Sequence, residues 1–152
     1  MRKLLIYVFP MLVASCSQSP AVFSFQPTPE DGWEQTDTIF FPIDTIREGG
    51  TYQVSIALRT NTAAPYPFRS LSLRLTERLS TIPEQSKTLS LKLDQEQATF
   101  ESNGISIQQH IFIADTLRLP SKPTSGKILI SHQMQSNLLH GIRDVGIRLE
   151  KL

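Results

Sequence analysis

The chain has 152 residues, 15 of them Lys or Arg and 14 Asp or Glu, so its formal net charge is +1 at pH 7. This near balance argues against nucleic-acid binding, which usually requires a strongly basic patch. The single cysteine, Cys16, excludes an intrachain disulfide. The length suits one domain with a sizeable hydrophobic core.

The first sixteen residues have the layout of a secretory signal. Two basic residues come first, residues 4–13 are apolar apart from one proline, and small residues precede Cys16. The apolar run is too short for a transmembrane helix, which needs about 20 residues. The segment Val13-Ala14-Ser15-Cys16 resembles a bacterial lipobox, in which the cysteine is diacylated and becomes the mature N-terminus. We therefore predict a lipoprotein signal peptide over 1–15; the alternative is an ordinary signal peptide followed by a free thiol.

Cleavage before Cys16 would remove Arg2 and Lys3 and leave a chain with one more acidic than basic residue. Electrostatic adhesion to anionic lipid is then not expected, so the acyl chains on Cys16 would hold the protein to its membrane. Residues 16–30 contain three prolines and several small polar residues, which predicts a lipidated tether. Val22–Phe25 within it could form a short edge strand. We expect residues 31–152 to form the folded domain.

From Thr38 onward, apolar and polar residues alternate with period two, which predicts half-buried antiparallel strands. The predicted apolar faces are Tyr52, Val54, Ile56 and Leu58; Leu71, Leu73 and Leu75; Leu89, Leu91 and Leu93; Ile105, Ile107, Ile111 and Ile113; Ile128, Ile130, His132 and Met134; and Val145, Ile147 and Leu149. A further strand over 38–46 contains Pro42, which places it at a sheet edge or a bulge. Only residues 134–141 suggest a short helical turn. The prediction is an all-β protein, an antiparallel β-sandwich of about seven to eight strands with one short helical turn near the C-terminus.

The sequence contains none of the nucleophile or phosphate-loop motifs that would indicate an enzyme, so we expect no catalytic residue, cofactor or small-molecule substrate. His132 lies on an apolar face and is predicted to be a hydrogen-bonded core residue. His110 is predicted on a polar face and His140 in a turn. Their spacing matches no zinc signature, so no metal site is predicted.

Three aromatic residues have two interpretations each. Trp33 could stack on a sugar, but sealing one end of the sandwich is the preferred interpretation for a large aromatic beside a turn. Tyr66 and Phe68 lie in a proline-containing loop over 60–68 and are a possible contact for a protein partner. The alternative is that they fold back and cap the open end of the sandwich.

The landmarks in the chain resemble those of the GldH family, gliding-motility lipoproteins of Bacteroidetes. The first half of that pattern is carried by Gly32-Trp33, Asp37, Phe40-Phe41, Tyr52, Arg59 and Tyr66-Pro67-Phe68. The segment "HQMQSNLLHGIRDVGIRLEK" is similar to that family's C-terminal ending, with Gln135 in place of the arginine expected after Met134.

The resemblance implies a non-enzymatic, membrane-anchored accessory protein of gliding motility and of the linked type IX secretion machinery, acting by contact with envelope proteins. The rival hypothesis is a glycan-binding lipoprotein of a polysaccharide-uptake system, with Trp33 and Tyr66 as platforms. Bacteroidetes lipoproteins exported to the surface tend to carry acidic residues just after the cysteine, and here none occurs between Cys16 and Glu30. We therefore expect a periplasm-facing position on the outer membrane.

Overall fold

The computed structural model describes residues 19–61, 64–93 and 107–152, together with the backbone of residues 99–102. These residues contain strands and turns and no helix. The strands are β1 (Val22–Pro27), β2 (Trp33–Glu34), β3 (Ile39–Ile46), β4 (Gly50–Asn61), β5 (Ser70–Leu79), β6 (Gln85–Lys92), β7 (Thr99–Ser102), β8 (Ile107–Leu119), β9 (Thr124–His132), β10 (Leu138–Leu139) and β11 (Ile142–Lys151).

Two antiparallel sheets form a β-sandwich, as predicted. One sheet has the strand order β1-β11-β4-β8-β7 and the other has the order β3-β9-β5-β6, while β2 and β10 form a separate two-stranded ladder. The described residues contain more strands than the predicted seven to eight because β2, β7 and β10 are short additions to the main strands. Val22–Phe25 belongs to β1, an edge strand, and β3 with its Pro42 also lies at an edge.

The core lies between the sheets and is built from the alternating faces that the sequence predicted. The predicted inward apolar residues of β4, β5, β9 and β11 are buried and belong to one hydrophobic cluster, and His132 of β9 is buried beside them. The cluster includes Tyr52, Val54, Ile56, Leu58, Leu71, Leu73, Leu75, Ile128, Ile130, Val145, Ile147 and Leu149. Burying each large apolar side chain contributes about 1.5–3 kcal/mol, which explains why period two is so consistent along these strands.

Strand β8 departs from the predicted face. Ile113 is 71% exposed, whereas Phe112 is buried and lies opposite Ile56. A β-bulge between the pairs Ser55–Ile113 and Val54–Asp115 shifts the register by one residue. A one-residue shift exchanges the two faces of a strand, so the face of Ile111 and Ile113 predicted to be buried points outward. Ile105, assigned to the same face, lies outside the described residues.

The same correction applies to His110, which was predicted on a polar face. It lies opposite Leu58, is buried, and stacks on Phe112 with ring centroids 6.3 Å apart. Burial lowers the pKa of His110 below its usual value, which favours the neutral imidazole.

The predicted helical turn over 134–141 is wrong. Leu138 and Leu139 form β10, which pairs with β2, and Leu139 lies opposite Trp33. So short an isolated helix is unstable in water, whereas pairing with β2 buries Leu139 against the core. Gly141 follows with φ +89, a conformation that favours glycine, and its Cα lies so close to the chain that a Cβ would be 2.5 Å from the Tyr66 backbone.

One end of the sandwich lies near the start of strand β1, and the other end lies near its last residue. Strand β1 begins with Val22 opposite Leu149 and ends with Pro27 opposite Asp144. We call the end near Val22 the entry end; Ser19 lies there in a groove with Arg47, Glu48 and Lys151. We call the opposite end the distal end; it carries residues 28–38, 64–69 and 133–141. In the residues that the structure describes, no helix is long and apolar enough to cross a membrane.

Candidate functional site

Trp33 and His132 close the core at the distal end. Trp33 is fully buried and its indole Nε1–H donates to the Asp37 carbonyl at 3.2 Å. The Met134 backbone N–H donates to His132 Nδ1 at 3.4 Å, so Nε2 carries the proton that is donated to the Trp33 carbonyl at 3.1 Å. The two rings meet edge to face with centroids 5.2 Å apart. Burial lowers the pKa of His132, while its hydrogen bond to the Trp33 backbone and the Asp37 charge oppose that shift.

This arrangement confirms the interpretation of His132 as a hydrogen-bonded core residue and of Trp33 as the residue that seals the sandwich. A sugar-stacking residue must present an accessible ring face, and Trp33 presents none. The glycan-binding hypothesis therefore loses one of its two platforms.

Tyr66 and Phe68 lie in the same distal loop but have different environments. Tyr66 packs against the core cluster, and its hydroxyl donates to the Ser70 carbonyl at 3.1 Å. Burial raises the pKa of Tyr66 to about 12. The Phe68 ring meets that of Tyr66 edge to face at 5.4 Å and is 43% exposed. Tyr66 thus supports the loop, and Phe68 is the member of the pair that a partner could reach.

A second exposed apolar residue, Leu138, lies at the same end and is 36% exposed. It is held by β10 and by close packing against Gly32, whose Cβ, if it had one, would lie 2.9 Å from the Leu138 side chain. Between the loops, a groove is lined by residues that include Gly32, Ala64, His140 and Gly141. His140 is exposed here, in the loop that was predicted. The distal end therefore presents apolar side chains on a firmly packed base.

Strand β1, which follows the predicted anchor, is held at the edge of the five-stranded sheet by side-chain contacts on the sheet's outer face. The Arg59 guanidinium lies 3.6 Å from the centre of the Phe25 ring, and its Nε–H donates to Gln109 Oε1 at 3.0 Å. The Phe25 ring in turn covers Gly146, where a Cβ would lie 2.6 Å from the ring. A cation–π contact of this kind contributes about 0.5–2 kcal/mol. These contacts join the N-terminal strand to the rest of the domain.

One buried acid lies between the sheets and was not identified from the sequence. Glu77 is 2% exposed, and neither carboxylate oxygen accepts a hydrogen bond from the described residues. Nearby, Lys87 of β6 forms an ion pair with Asp115 of β8, which links the two sheets at their open side. Burial raises the pKa of Glu77 to about 7, the charge of Asp115 adds to the shift, and that of Lys87 opposes it. The sequence did contain an indication of this burial. Glu77 stands at an alternate position in the same series as Leu71, Leu73, Leu75 and Leu79, whose side chains share one apolar face of the strand.

Within the described ranges, no group of three or more His, Cys, Asp or Glu side chains could hold a metal ion. Cys16, the predicted lipidation site, lies outside the described residues. Its acylation remains a prediction from the sequence.

The whole folded region matches a known protein family. The GldH lipoprotein family matches this chain over residues 21–149, which run from the residue before β1 almost to the end of β11. The chain belongs to the GldH lipoprotein family. None of the curated proteins matches the sequence.

This GldH lipoprotein is accordingly a membrane-anchored envelope lipoprotein associated with gliding motility. The family is not a known enzyme family. The match confirms the resemblance carried by the landmarks from Gly32 to Leu149, and it extends that resemblance to β1.

Proposed function

We propose that this GldH lipoprotein is a non-enzymatic accessory component of the gliding motility and type IX secretion-linked machinery, and that it acts by protein–protein contact at its distal end. The observation that carries the proposal is that Phe68 and Leu138 are exposed at an end of the sandwich whose interior is closely packed around the buried Trp33. Exposed aromatic and aliphatic side chains on a preorganised surface lose little conformational entropy on binding and are favoured at protein interfaces.

The position of the anchor supports the use of the distal end. In this proposal Cys16 is acylated, and two residues, Ser17 and Gln18, separate it from Ser19 at the entry end. The three Cα–Cα steps from Cys16 to Ser19 span at most about 11 Å, so the entry end stays close to the lipid while the sandwich can extend the distal end away from it. We further propose that the membrane is the outer membrane and that the domain faces the periplasm.

Anchoring and orientation are tested in the native host. Cys16→Ser should move the folded domain from the membrane fraction to the soluble fraction, because stable attachment depends on the acyl chains. Protease added to intact cells should leave the wild-type protein uncut and should cut it after the outer membrane is permeabilised. Membrane retention of Cys16→Ser would contradict the anchor, and cutting in intact cells would contradict the periplasm-facing position.

The contact is tested by comparing two exposed phenylalanines. Phe68→Ala removes the distal ring, and Phe40→Ala removes a ring that is 53% exposed on the outer face of the four-stranded sheet. Both variants should fold as stably as wild type. Only Phe68→Ala should lower the recovery of envelope proteins that co-purify from solubilised membranes, and only this variant should reduce gliding or secretion of type IX substrates.

Equal behaviour of the two variants would show that Phe68 is not the contact. A gene deletion that leaves both gliding and type IX secretion unchanged would contradict the accessory role itself. Tyr66→Ala does not separate these outcomes, because Tyr66 also supports the loop.

A further inference from the structure

Strand β6 is an edge strand of the four-stranded sheet. Among the described residues it pairs with β5 alone, over eight consecutive residues without a register shift. It contains no proline and no acidic residue. The opposite edge, β3, is interrupted by Pro42 and by an irregular register between Ile43 and Ile46. Of these two edges, β6 is the one with a continuous row of main-chain groups.

The hydrogen bond of the residue that follows β6 shows which of its main-chain groups point outward. The Leu93 N–H donates to the Arg69 carbonyl at 2.9 Å. In an antiparallel ladder, alternate residues bond to the same neighbour, so the odd-numbered residues of β6 pair with β5. The N–H and C=O groups of Ser86, Thr88, Ser90 and Lys92 therefore point to the free side.

The side chains of those four residues lie on the outer face of the sheet, and this face is basic. The face also carries the exposed cations Arg74 and Arg78 of β5 and Lys127 of β9. Arg78 is paired with Glu84 at 2.9 Å, whereas Arg74, Lys92 and Lys127 form no ion pair within the described residues. Asp44, the acid of β3, lies at the other edge of the sheet. A surface with this excess of positive charge attracts an anionic partner.

The inward face of β6 is apolar toward its C-terminal half. Leu91 is buried in the core, and Leu89 is partly buried against it. A strand added beside β6 would place alternate side chains next to these leucines and the others next to Thr88, Ser90 and Lys92.

We propose that the edge of β6 accepts an extended segment of a partner protein as an additional strand, with acidic residues outward over Lys92 and Arg74 and apolar residues inward beside Leu89 and Leu91. Main-chain hydrogen bonds would supply affinity and the alternating side chains would supply specificity. The proposal rests on the proposed function only in that the partner is a protein; it uses the main-chain edge of β6 and does not involve the Phe68 ring.

The same charges disfavour two other occupants. Two copies of β6 paired edge to edge would bring cationic strands together without an acid between them, which is a known device against self-association. An anionic membrane would satisfy the cations but would leave the outward N–H and C=O groups of β6 unused. A strand-forming acidic peptide satisfies both sets of groups.

The test uses the full-length lipoprotein in mild detergent and a fluorescein-labelled octapeptide of alternating Glu and Val. Three control probes are the corresponding Lys–Val peptide, a Glu–Val peptide that is N-methylated at every residue, and vesicles of phosphatidylglycerol. Binding is measured by fluorescence anisotropy, or by co-sedimentation for the vesicles. The N-methylated peptide keeps the charge but cannot complete a β-ladder.

Two variants perturb the edge, each with a matched control. Ser90→Pro removes an outward N–H while leaving the bonds to β5, and Ser90→Ala keeps that N–H. Lys92→Glu reverses a charge on β6, and Lys127→Glu reverses one on β9, two strands away. We expect Ser90→Pro and Lys92→Glu to raise the Kd of the Glu–Val peptide about tenfold or more, and the controls to change it less than about threefold.

The proposal is overturned if the Glu–Val peptide does not bind at millimolar concentration, or if the N-methylated peptide binds equally well. It is also overturned if Lys92→Glu weakens vesicle binding while the peptide fails to bind, because the face would then serve a membrane. Should Ser90→Pro fail to fold, the comparison of Lys92→Glu with Lys127→Glu decides the matter. If the Glu–Val peptide binds but Phe68→Ala glides like wild type, the strand-addition proposal holds and the distal contact is wrong. If Phe68→Ala loses gliding but the peptide does not bind, the distal contact holds and the strand-addition proposal is wrong.

Discussion

Replacing the buried acid Glu77 by glutamine should stabilise the protein at neutral and alkaline pH. The pKa of Glu77 is raised from 4.5 to about 7, chiefly by burial, so the folded state holds its proton over a range where the unfolded state has lost it. Since the folded state binds more protons between these two values, the free energy of unfolding falls as the pH rises through this window. The effect is absent below about pH 4 and complete above about pH 8.

The magnitude follows from the size of the shift. One pKa unit corresponds to about 1.4 kcal/mol, so ionised Glu77 costs the folded state about 3 kcal/mol at pH 8. Glu77→Gln keeps the shape of the side chain and removes its titration. We expect the variant to be close to wild type at pH 4.5 and more stable by up to about 3 kcal/mol at pH 8, a rise in Tm of about 6–12 °C.

The assay is urea denaturation of wild type and variant at several values between pH 4.5 and pH 8.5. The matched control is Glu84→Gln, which changes an exposed glutamate in the connection between β5 and β6 that is paired with Arg78. That change should shift stability by less than about 1 kcal/mol at every pH. The reasoning is refuted if the free energy of unfolding of Glu77→Gln depends on pH in the same way as that of the wild type. It is also refuted if the wild type, relative to the variant, gains stability between pH 5 and pH 8.

Three further changes test the packing of the sandwich. Trp33→Ala should lower the free energy of unfolding in urea by about 3–5 kcal/mol, because it empties a fully buried site; a loss below about 1 kcal/mol would show that the distal end is not sealed by this ring. Gly146→Val should cost about 1–3 kcal/mol and speed amide exchange in β1, since its side chain displaces the Phe25 ring; unchanged exchange over Val22–Pro27 would argue against that contact. Tyr66→Ala should lower the Tm by about 4–8 °C while Phe68→Ala changes stability by less than about 0.5 kcal/mol, and equal melts would remove the distinction between support and exposed surface.

The sequence alone determined the class of fold and the main faces of the core. Period two in β4, β5, β9 and β11 is a local property, because successive side chains of a strand point to opposite faces wherever the strand pairs. Pro42 marked an edge for an equally local reason, since it lacks the N–H that a central strand must donate. The lipobox-like segment before Cys16 and the landmarks of the GldH family are likewise properties of residue order.

The tertiary structure decided what depends on residues distant in the chain. The bulge in β8 has no marker in its own sequence, yet it turns Ile113 outward and His110 inward because the register is set by pairing with β4. Residues 134–141 contain the short strand β10 in place of a helix because Leu139 pairs with Trp33, about a hundred positions earlier in the chain. Tyr66 and Phe68 are alike in sequence context, and only packing against the core distinguishes the partly buried ring of Tyr66 from the more exposed ring of Phe68. The raised pKa of Glu77 arises because the two sheets pack around its carboxylate and exclude water from it. The sequence shows that an acid stands at this position but does not show how deeply it is buried.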